Sequence, residues 1–451
     1  MLRLLAFETR LLLRRSSTWV ALAVLLIACV IAALNGRSLL AQQHDGRVAF
    51  AATAQEAADK TTEQITAAKT ADDTVLTPVR ITQPIIAPLP LLVDFSAGRA
   101  PIEPYTATTG LRTRSDTLFR NEALENPELA VRGSIDLGFV VIVIAPLLLI
   151  GLGFGIFARD RDSGAASLIL AQAGSPLRLM IARSLPVLIV VALPIAATAL
   201  MLLAIGPALA GRGAAAAAWL AMAGLSLLFW LSLILVVNSL RVSAETAGLA
   251  LAALWAVLVL IAPALILAAA QAMKPAPSRF DQIATARASE IASTSAYEND
   301  HPELGDDSLA AQRAAARKSA AISTSIDAAV APISVAFDAR LDAQQAVVRR
   351  AQIVSLPLVA SDALTAIAGT DGAAYRDFRD AAASYRIVLK ERLNALTSRE
   401  TMLTGNDIAG LPQFTPPNPG SAWSWALAMI AVVTLAIGGL AAIRFRGTKL
   451  A

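Results

Sequence analysis

Six apolar runs, with charged residues only near their ends, divide the chain, and each is long enough to cross a membrane. A bilayer core of about 30 Å requires roughly 20 apolar residues in helical conformation. The runs predict spans over residues 17–34, 136–158, 181–211, 213–240, 244–273 and 422–443. The three spans between residues 181 and 273 follow one another almost without a break. The pattern therefore predicts an all-α polytopic membrane protein with six transmembrane helices.

Two long polar segments, residues 35–135 and 274–421, remain outside these spans. Both must lie on the same face, because the first follows span one and the second follows span five. The first is rich in proline from Pro78 to Pro104, which predicts extended or irregular backbone there. That the two segments form one domain is an inference from topology alone.

The second segment has helical periodicity in two places. Over residues 308–352 an apolar stripe recurs at spacings of three, four and seven residues. The stripe consists of Val330, Ile333, Phe337, Leu341 and Val348. A second helix is predicted from Asp371 to about Ser398, with Tyr375, Phe378, Tyr385 and Leu389 on its apolar side. Together these patterns predict a mostly helical extracytoplasmic domain.

Composition agrees with a membrane protein and excludes several other classes. The chain has 451 residues, of which 56% are apolar and 16% charged, against about 45–50% and about 25% in soluble domains. Its single cysteine, Cys29, excludes an intramolecular disulfide. Its two histidines, His44 and His301, leave little material for a metal site, so no metal or cofactor is expected on this chain.

The distribution of charge predicts orientation. With six spans both termini share a side, and the predicted segments on that side carry twelve basic and four acidic residues. The basic residues are Arg3, Arg10, Arg14, Arg15, Arg159, Arg161, Arg178, Arg183, Arg241, Arg444, Arg446 and Lys449. The positive-inside rule then predicts cytoplasmic termini and a bacterial inner-membrane location. Because the basic residues are sorted by membrane side rather than gathered into a patch, no nucleic-acid partner is expected.

Both chain ends are predicted to lie at the cytoplasmic surface. Residues 1–16 have an amphipathic pattern, with arginines on one side and leucines on another, although Glu8 falls on the apolar arc. This predicts an interfacial helix. Residues 1–16 precede the first span and are longer than a usual signal-peptide n-region, so this span is expected to be retained. Residues 444–451 form a short cytoplasmic tail.

The cytoplasmic segment 159–180 is the best candidate for a working site. Its charge cluster, Arg159-Asp160-Arg161-Asp162, is followed by Gly164, an apolar triplet at Leu168–Leu170, and a Gly174-Ser175-Pro176 break. A helix starting near Ser163 would place both aspartates near its positive N-terminal end. Two interpretations remain open: a turn at the membrane surface, or a helix that docks into a partner protein.

This segment resembles the Glu-Arg-Glu-x-Gly-Thr…Leu-Leu…Pro signature of type-2 ABC exporter permeases, which include the copper-enzyme-maturation and gliding-motility permeases. Here aspartates replace both glutamates, and Ala165 replaces the threonine. The resemblance implies that residues 159–180 form the coupling helix that docks into the ATPase subunit, and that residues 1–16 form the elbow helix. It also implies a six-span permease that pairs with a second permease copy or a sister permease.

The polar segment 274–421 carries a second resemblance, to a subfamily of these permeases with a large uncharacterised periplasmic domain. The residues that carry it are Leu356-Pro357, Ala368-Gly369-Thr370-Asp371, Tyr375, Phe378 and Tyr385-Arg386.

Several chemistries have no residues to support them. No Gly-x-x-x-x-Gly-Lys-Ser/Thr loop occurs in the sequence, so ATP and Mg²⁺ are expected on a separate ATPase chain and this chain is not expected to be an enzyme. The spans hold no ionisable residue at mid-depth and no histidine, which argues against a proton-coupled carrier and an intramembrane hydrolase.

The sequence therefore predicts the permease subunit of an ATP-driven ABC transporter. The residues expected to dock the ATPase are Arg159, Asp160, Arg161, Asp162, Gly164 and Leu168. The alternative is an ATPase-driven scaffold that passes force to periplasmic partners without moving solute.

Overall fold

The structure is a computed structural model that describes residues 2–70, 72–119, 135–165, 168–169, 175–240, 242–275, 280–306, 308–397, 401–417 and 423–447. The helices, in chain order, are α1 (Leu2–Leu13), α2 (Ser16–Ala67), α3 (Thr77–Arg80), α4 (Leu137–Asp162), α5 (Pro176–Ile205), α6 (Arg212–Ser239), α7 (Ala244–Met273), α8 (Phe280–Asp300), α9 (Leu309–Ala351), α10 (Leu356–Ala368), α11 (Gly372–Thr397), α12 (Gly405–Ala409) and α13 (Ser424–Gly447). Strands β1 (Thr82–Ile86) and β2 (Thr106–Gly110) pair antiparallel, with Thr82 opposite Gly110 and Ile86 opposite Thr106.

Seven helices in the described part of the chain are long and apolar enough to cross a membrane. Six of them overlap the six predicted spans: α2, α4, α5, α6, α7 and α13. Helix α5 stops at Ile205 rather than at residue 211. The seventh runs from Leu309 to Val354, so it consists of α9 and the turn that follows it. Large apolar side chains such as Ile27, Leu193, Leu249 and Leu435 are exposed on the six helices, as expected of surfaces that face lipid. The fold is that of an all-α multi-pass membrane protein.

Helix α2 is longer than its apolar run. It continues without a break from Ser16 to Ala67, 52 residues in all, or about 78 Å at 1.5 Å per residue. The hydropathy pattern marks only residues 17–34 as membrane-spanning. The helix continues because the residues that follow are mostly alanine, glutamine and other residues compatible with a helix.

Both ends of the chain lie at the same end of the helical bundle. Glu8 of α1 contacts Arg183 near the start of α5. Phe445 near the end of α13 packs against Phe157 of α4, with 4.8 Å between ring centroids. We call this end of the bundle the terminal end and the opposite end the distal end.

The two polar segments form one distal domain around a shared core. Val79, Ile85 and Leu111 from the first segment pack with Phe378 and Leu389 from the second. Asp327 of α9 further joins the segments, because its carboxylate accepts hydrogen bonds from Ser115 N, Arg386 Nη1 and Lys390 Nζ at 2.7 to 2.9 Å. The predicted helices over 308–352 and 371–398 correspond to α9 and α11.

A buried ion pair joins the proline-rich segment to the bundle. The Arg212 guanidinium, at the first residue of α6, contacts the Asp94 carboxylate at 2.7 Å, and both side chains are almost fully buried. Nearby, Asp136 caps the start of α4 by accepting from Phe139 N and Ala97 N, each at 2.7 Å. Gly36 of α2 lies directly against the Asp94 carbonyl, where a β-carbon would not fit. These contacts fix the distal domain at the mouth of the bundle.

Helix α10 enters the bundle from the distal end without crossing it. Its last residue, Ala368, accepts a hydrogen bond from Leu92 N at 3.2 Å, and its buried face, including Val359 and Leu364, belongs to the core of the bundle. Ser355, immediately before the helix, contacts Leu258, which lies about 22 Å along α7 from its end at Met273. The hydropathy pattern places residues 274–421 wholly outside the bundle, and α10 departs from that expectation.

Two π-helical turns lie where α10 meets the bundle. One occupies Val140–Ile144 of α4 and the other Val257–Ile261 of α7. Each precedes a proline, Pro146 or Pro263, which lacks an N–H group and disrupts regular helical bonding. The Val143 carbonyl accepts from Trp255 Nε1 at 3.2 Å, and the Leu258 carbonyl accepts from Ser355 Oγ at 2.6 Å.

Candidate partner-docking face

The candidate site lies at the terminal end, where α4 finishes in a short helical segment over Ala158–Asp162. The backbone N–H groups of Ser163 and Gly164 close this segment by donating to Arg159 O and Arg161 O, each at 3.0 Å. Gly164 has a φ of 75°, in the left-handed region that favours glycine. The glycine therefore reverses the chain directly after the charge cluster.

Arg161 ties the segment to the end of α6. Its guanidinium donates to Asn238 O at 2.7 Å and to Leu240 O and Val242 O at 3.1 Å. The last carbonyls of a helix have no partner within the helix and carry its partial negative charge. An arginine is suited to this position because it presents several donors and a positive charge.

Asp162 binds the start of α7, where the first backbone N–H groups are free and carry a partial positive charge. Its carboxylate accepts from Ala244 N, the first residue of α7, at 3.0 Å. Ser243 also caps this helix, accepting from Thr246 N at 3.3 Å. Adjacent residues of the charge cluster thus hold the end of α6 and the start of α7.

Asp160 belongs to a three-membered charge network. Arg183 of α5 forms ion pairs with Asp160 and with Glu8 of α1, the latter at 3.0 Å, and its side chain is only 12% exposed. Arg183 also donates to Ile156 O at 2.8 Å. The network joins α1, α4 and α5, and it explains why an acidic residue lies on the apolar arc of the N-terminal helix.

Arg159 and Leu168 are directed away from these contacts. Arg159 is exposed and its guanidinium lies over the Phe154 ring, 4.9 Å from the centroid. Leu168 is 65% exposed, whereas the neighbouring Ile169 is partly buried against the bundle core. Residues 166–167 and 170–174 of the predicted coupling helix lie outside the described residues, as does Arg241. Arg159 and Leu168 thus contribute a charged and an apolar side chain to the exposed surface of this segment.

The six predicted docking residues therefore divide by what they contact. Asp160, Arg161 and Asp162 bind other parts of the chain, Gly164 shapes the turn, and Arg159 and Leu168 face outward. Glu8, Arg183 and Asn238 are part of the same face but are not among the predicted residues. Asn238 is fully buried and donates to Gly153 O and Ile234 O at 3.3 and 2.9 Å. The position of Glu8 on an apolar arc is the one sequence signal for this network.

Within the described residues, no group of three or more histidine, cysteine, aspartate or glutamate side chains is placed to hold a metal ion.

The arrangement at the terminal end is suited to transmitting force. The segment Ala158–Asp162 and its charge network connect to four other helices: α1, α5, α6 and α7.

Comparison with known proteins gives one match. Residues 270–416 match the family model described as a domain of unknown function (DUF3526). The matched range begins in the last turn of α7 and includes α8 to α12, so it covers the second distal segment and the helix that enters the bundle. No curated protein and no solved structure matches the chain.

Proposed function

We propose that this protein is the permease subunit of an ATP-driven ABC transporter of the type-2 exporter kind. In this proposal it lies in the bacterial inner membrane with both termini in the cytoplasm. It has six spans, and a separate ATPase chain that binds ATP and Mg²⁺ docks at the terminal end. A second permease copy or a sister permease completes the membrane part, since six spans are half of the usual complement.

The proposed count of six spans depends on whether α9 crosses the membrane. Although α9 is apolar enough to count as a candidate span, Asp327 at its middle bonds to Arg386 and Lys390 of α11. A partly buried carboxylate that accepts from two cations and a backbone N–H belongs to a folded domain rather than to a surface facing lipid. We therefore assign α9 to the distal domain.

The observation that carries the proposal is the mechanical position of residues 158–169. The outward-facing Arg159 and Leu168 flank a turn whose neighbouring side chains hold α1, α5, α6 and α7. A partner that moves this turn would displace all of these helices together. A turn that merely closed a loop at the membrane surface would not need bonds to so many helices.

The connection continues to the distal end through α4. From its docking segment, α4 leads to the π turn whose Val143 carbonyl is bonded to Trp255 of α7, and α7 in turn is bonded at Leu258 to Ser355. Motion at the terminal end thus has a hydrogen-bonded route to α10 and the distal domain. In the proposed mechanism, closure of the ATPases on ATP binding moves α4 and α5 and reshapes the bundle at its distal half.

The experiment is co-purification of the ATPase with outward-facing variants. We expect Leu168→Asp and Arg159→Glu to lose the ATPase while keeping the thermal stability of the wild-type permease. Ile102→Asp, an exposed apolar residue of the distal domain, serves as the matched control and should keep it. Full retention of the ATPase by either docking variant would contradict the proposed face.

A scaffold that transmits force without moving solute is the second candidate, and the length of α2 favours it. This single helix runs from the terminal end into the distal domain, so it could carry displacement directly. The two functions differ in what lies between two permease copies. A passage or lateral opening there would support transport, and a closely packed interface would support the scaffold.

A further inference from the structure

A cavity of about 610 Å³ lies where the distal domain meets the bundle, within the size range of small-ligand sites. Its walls come from α2, from the proline-rich segment around residues 87–105, and from the end of α10 and the start of α11. The first turns of α6 and Trp423, just before α13, complete it. None of the contacts at the terminal end involves this cavity, so the proposed docking face does not account for it.

The floor of the cavity is apolar, and the start of the span α6 forms most of it. Ala214, Ala215 and Ala218 of α6 line it together with Ile367 of α10 and Trp423. Small side chains at the start of a span leave a groove along the helix, and tryptophan is enriched at the membrane interface. An acyl chain can therefore lie against this floor and continue into the bilayer.

A cation without an acidic partner lies on the α2 side. Arg47 donates to Ala87 O at 2.9 Å, to Gln43 O at 2.8 Å and to Gln43 Oε1 at 3.0 Å, and more weakly to Pro88 O. The Tyr105 ring covers the guanidinium at 4.4 Å. All of these acceptors are neutral, and no carboxylate of the described chain forms an ion pair with Arg47. An anionic group such as a phosphate would supply the missing charge.

Carboxylates without a basic partner lie on the α11 side. Among the described residues, Asp371 accepts only from the backbone N–H groups of Ala373 and Ala374, each at 3.3 Å. Asp377 is exposed, and among the described residues it forms no ion pair. The remaining acid, Glu103, is paired with Arg99 at 2.7 Å. The cavity thus offers a positive group on one side and two negative groups on the other.

We infer that this cavity binds a zwitterionic glycerophospholipid with a primary-ammonium head group. The phosphate faces Arg47, the ammonium donates to Asp371 and Asp377, and the acyl chains follow the alanines of α6. A lipid with a net negative head group matches Arg47 but places no cation against the two aspartates. Binding of the lipid in this cavity does not require that the protein transport it. The inference therefore goes beyond the proposed transport function.

The test uses the full-length protein in a mild non-ionic detergent and two lysophospholipids labelled on the acyl chain. One has a phosphoethanolamine head group and the other a phosphoglycerol head group. We expect saturable binding of the phosphoethanolamine lipid, at least about tenfold tighter than the phosphoglycerol lipid. Equal affinity for the two head groups would overturn the assignment.

Two variants make the test specific to the cavity. Ala218→Trp fills the floor and should weaken binding at least about tenfold, whereas Ala217→Trp on the exposed side of the same turn should leave it unchanged. If Ala218→Trp misfolds, Asp377→Asn provides the second test, since the Asp377 side chain forms no hydrogen bond or ion pair with another described residue. It should reduce the preference for phosphoethanolamine over phosphoglycerol. Unchanged preference in Asp377→Asn, or equal binding by folded Ala217→Trp and Ala218→Trp, would overturn the site.

Discussion

The carboxylate of Glu8 and the guanidinium of Arg183 form a 3.0 Å ion pair across 175 residues of sequence. The pair holds the N-terminal helix against α5 at the level where Asp160 also reaches Arg183. Both side chains are largely buried, so their charges are not freely solvated. The N-terminal helix is therefore part of the same unit as the candidate docking turn.

Removing Arg183 should destabilise this unit strongly. Arg183→Gln leaves two partly buried carboxylates without a cation, and breaking such a pair costs about 3 to 5 kcal/mol. Arg178→Gln, an exposed arginine of the same helix, is the matched control. Thermal unfolding in detergent should show a much lower midpoint for Arg183→Gln. Equal midpoints for the two variants would argue against the network.

The two arginines of the docking segment should behave differently. Arg161→Gln removes donors to three carbonyls and should lower stability by about 2 kcal/mol. Arg159→Gln loses only an exposed cation–π contact, a change of about 0.5 to 1 kcal/mol. Thermal unfolding of the purified permease should show a lower midpoint for Arg161→Gln than for Arg159→Gln.

Asp160 and Asp162 also bond to other parts of the chain. Reversing both to lysine would therefore disturb the fold as well as docking, so it is not a clean test of ATPase binding.

The Ser355 hydroxyl should be needed to hold α10 in the bundle. Ser355→Ala leaves the Leu258 carbonyl without the Ser355 donor and removes the side-chain acceptor of Leu358 N, which keeps only its bond to the Ser355 carbonyl at 3.0 Å. The combined loss should be about 2 kcal/mol. Ser361→Ala, in the same helix, removes neither bond and is the control. Hydrogen exchange of residues 356–368 should accelerate in Ser355→Ala only, and unchanged exchange would contradict the role of this bond.

Asp327 should hold α9 and α11 together. Asp327→Ala leaves Lys390 and Arg386 without their shared carboxylate in a buried site, which should cost about 3 kcal/mol. The effect is expected on the distal domain, and limited proteolysis of that domain reports it. Asp342→Ala, an exposed acid of the same helix, should change proteolysis little. If both variants resist protease like the wild type, the network does not stabilise the domain.

Tyr385 should titrate later than an exposed tyrosine. Burial raises the pKa of its phenol to about 12, and its hydroxyl donates to Pro412 O at 2.9 Å. Because the folded pKa lies above the ordinary value of about 10, this group's contribution to stability is complete below pH 10 and is lost as the pH rises toward 12. Phenolate absorbance compared between wild type and Tyr385→Phe isolates the group. A difference spectrum centred near pH 10 would show that Tyr385 is not buried.

The sequence predicted those features that depend on local pattern. The apolar runs located the six long helices, and the spacing of Phe378, Tyr385 and Leu389 identified the buried face of α11. These predictions are confirmed because a helix repeats every 3.6 residues and its buried side chains recur with that period.

Features that depend on distant contacts were not predictable. The partners of Arg161 and Asp162 lie about 80 residues away, so no local pattern indicates that they cap helix ends. The apolar pattern of residues 356–368 is too short to span a membrane, and only its contacts show that it enters the bundle. Likewise, the partner that accounts for Glu8 on an apolar arc is Arg183, which lies 175 residues away.

The most direct test of the central claim is co-purification of the tagged permease, followed by mass spectrometry and an ATPase assay of the complex. The account predicts a soluble protein with a Gly-x-x-x-x-Gly-Lys-Ser/Thr loop that accompanies the wild type and the Ile102→Asp control. It should be lost from Leu168→Asp, which should itself remain folded. Absence of any such ATPase from the wild type, or its full retention by Leu168→Asp, would contradict the account.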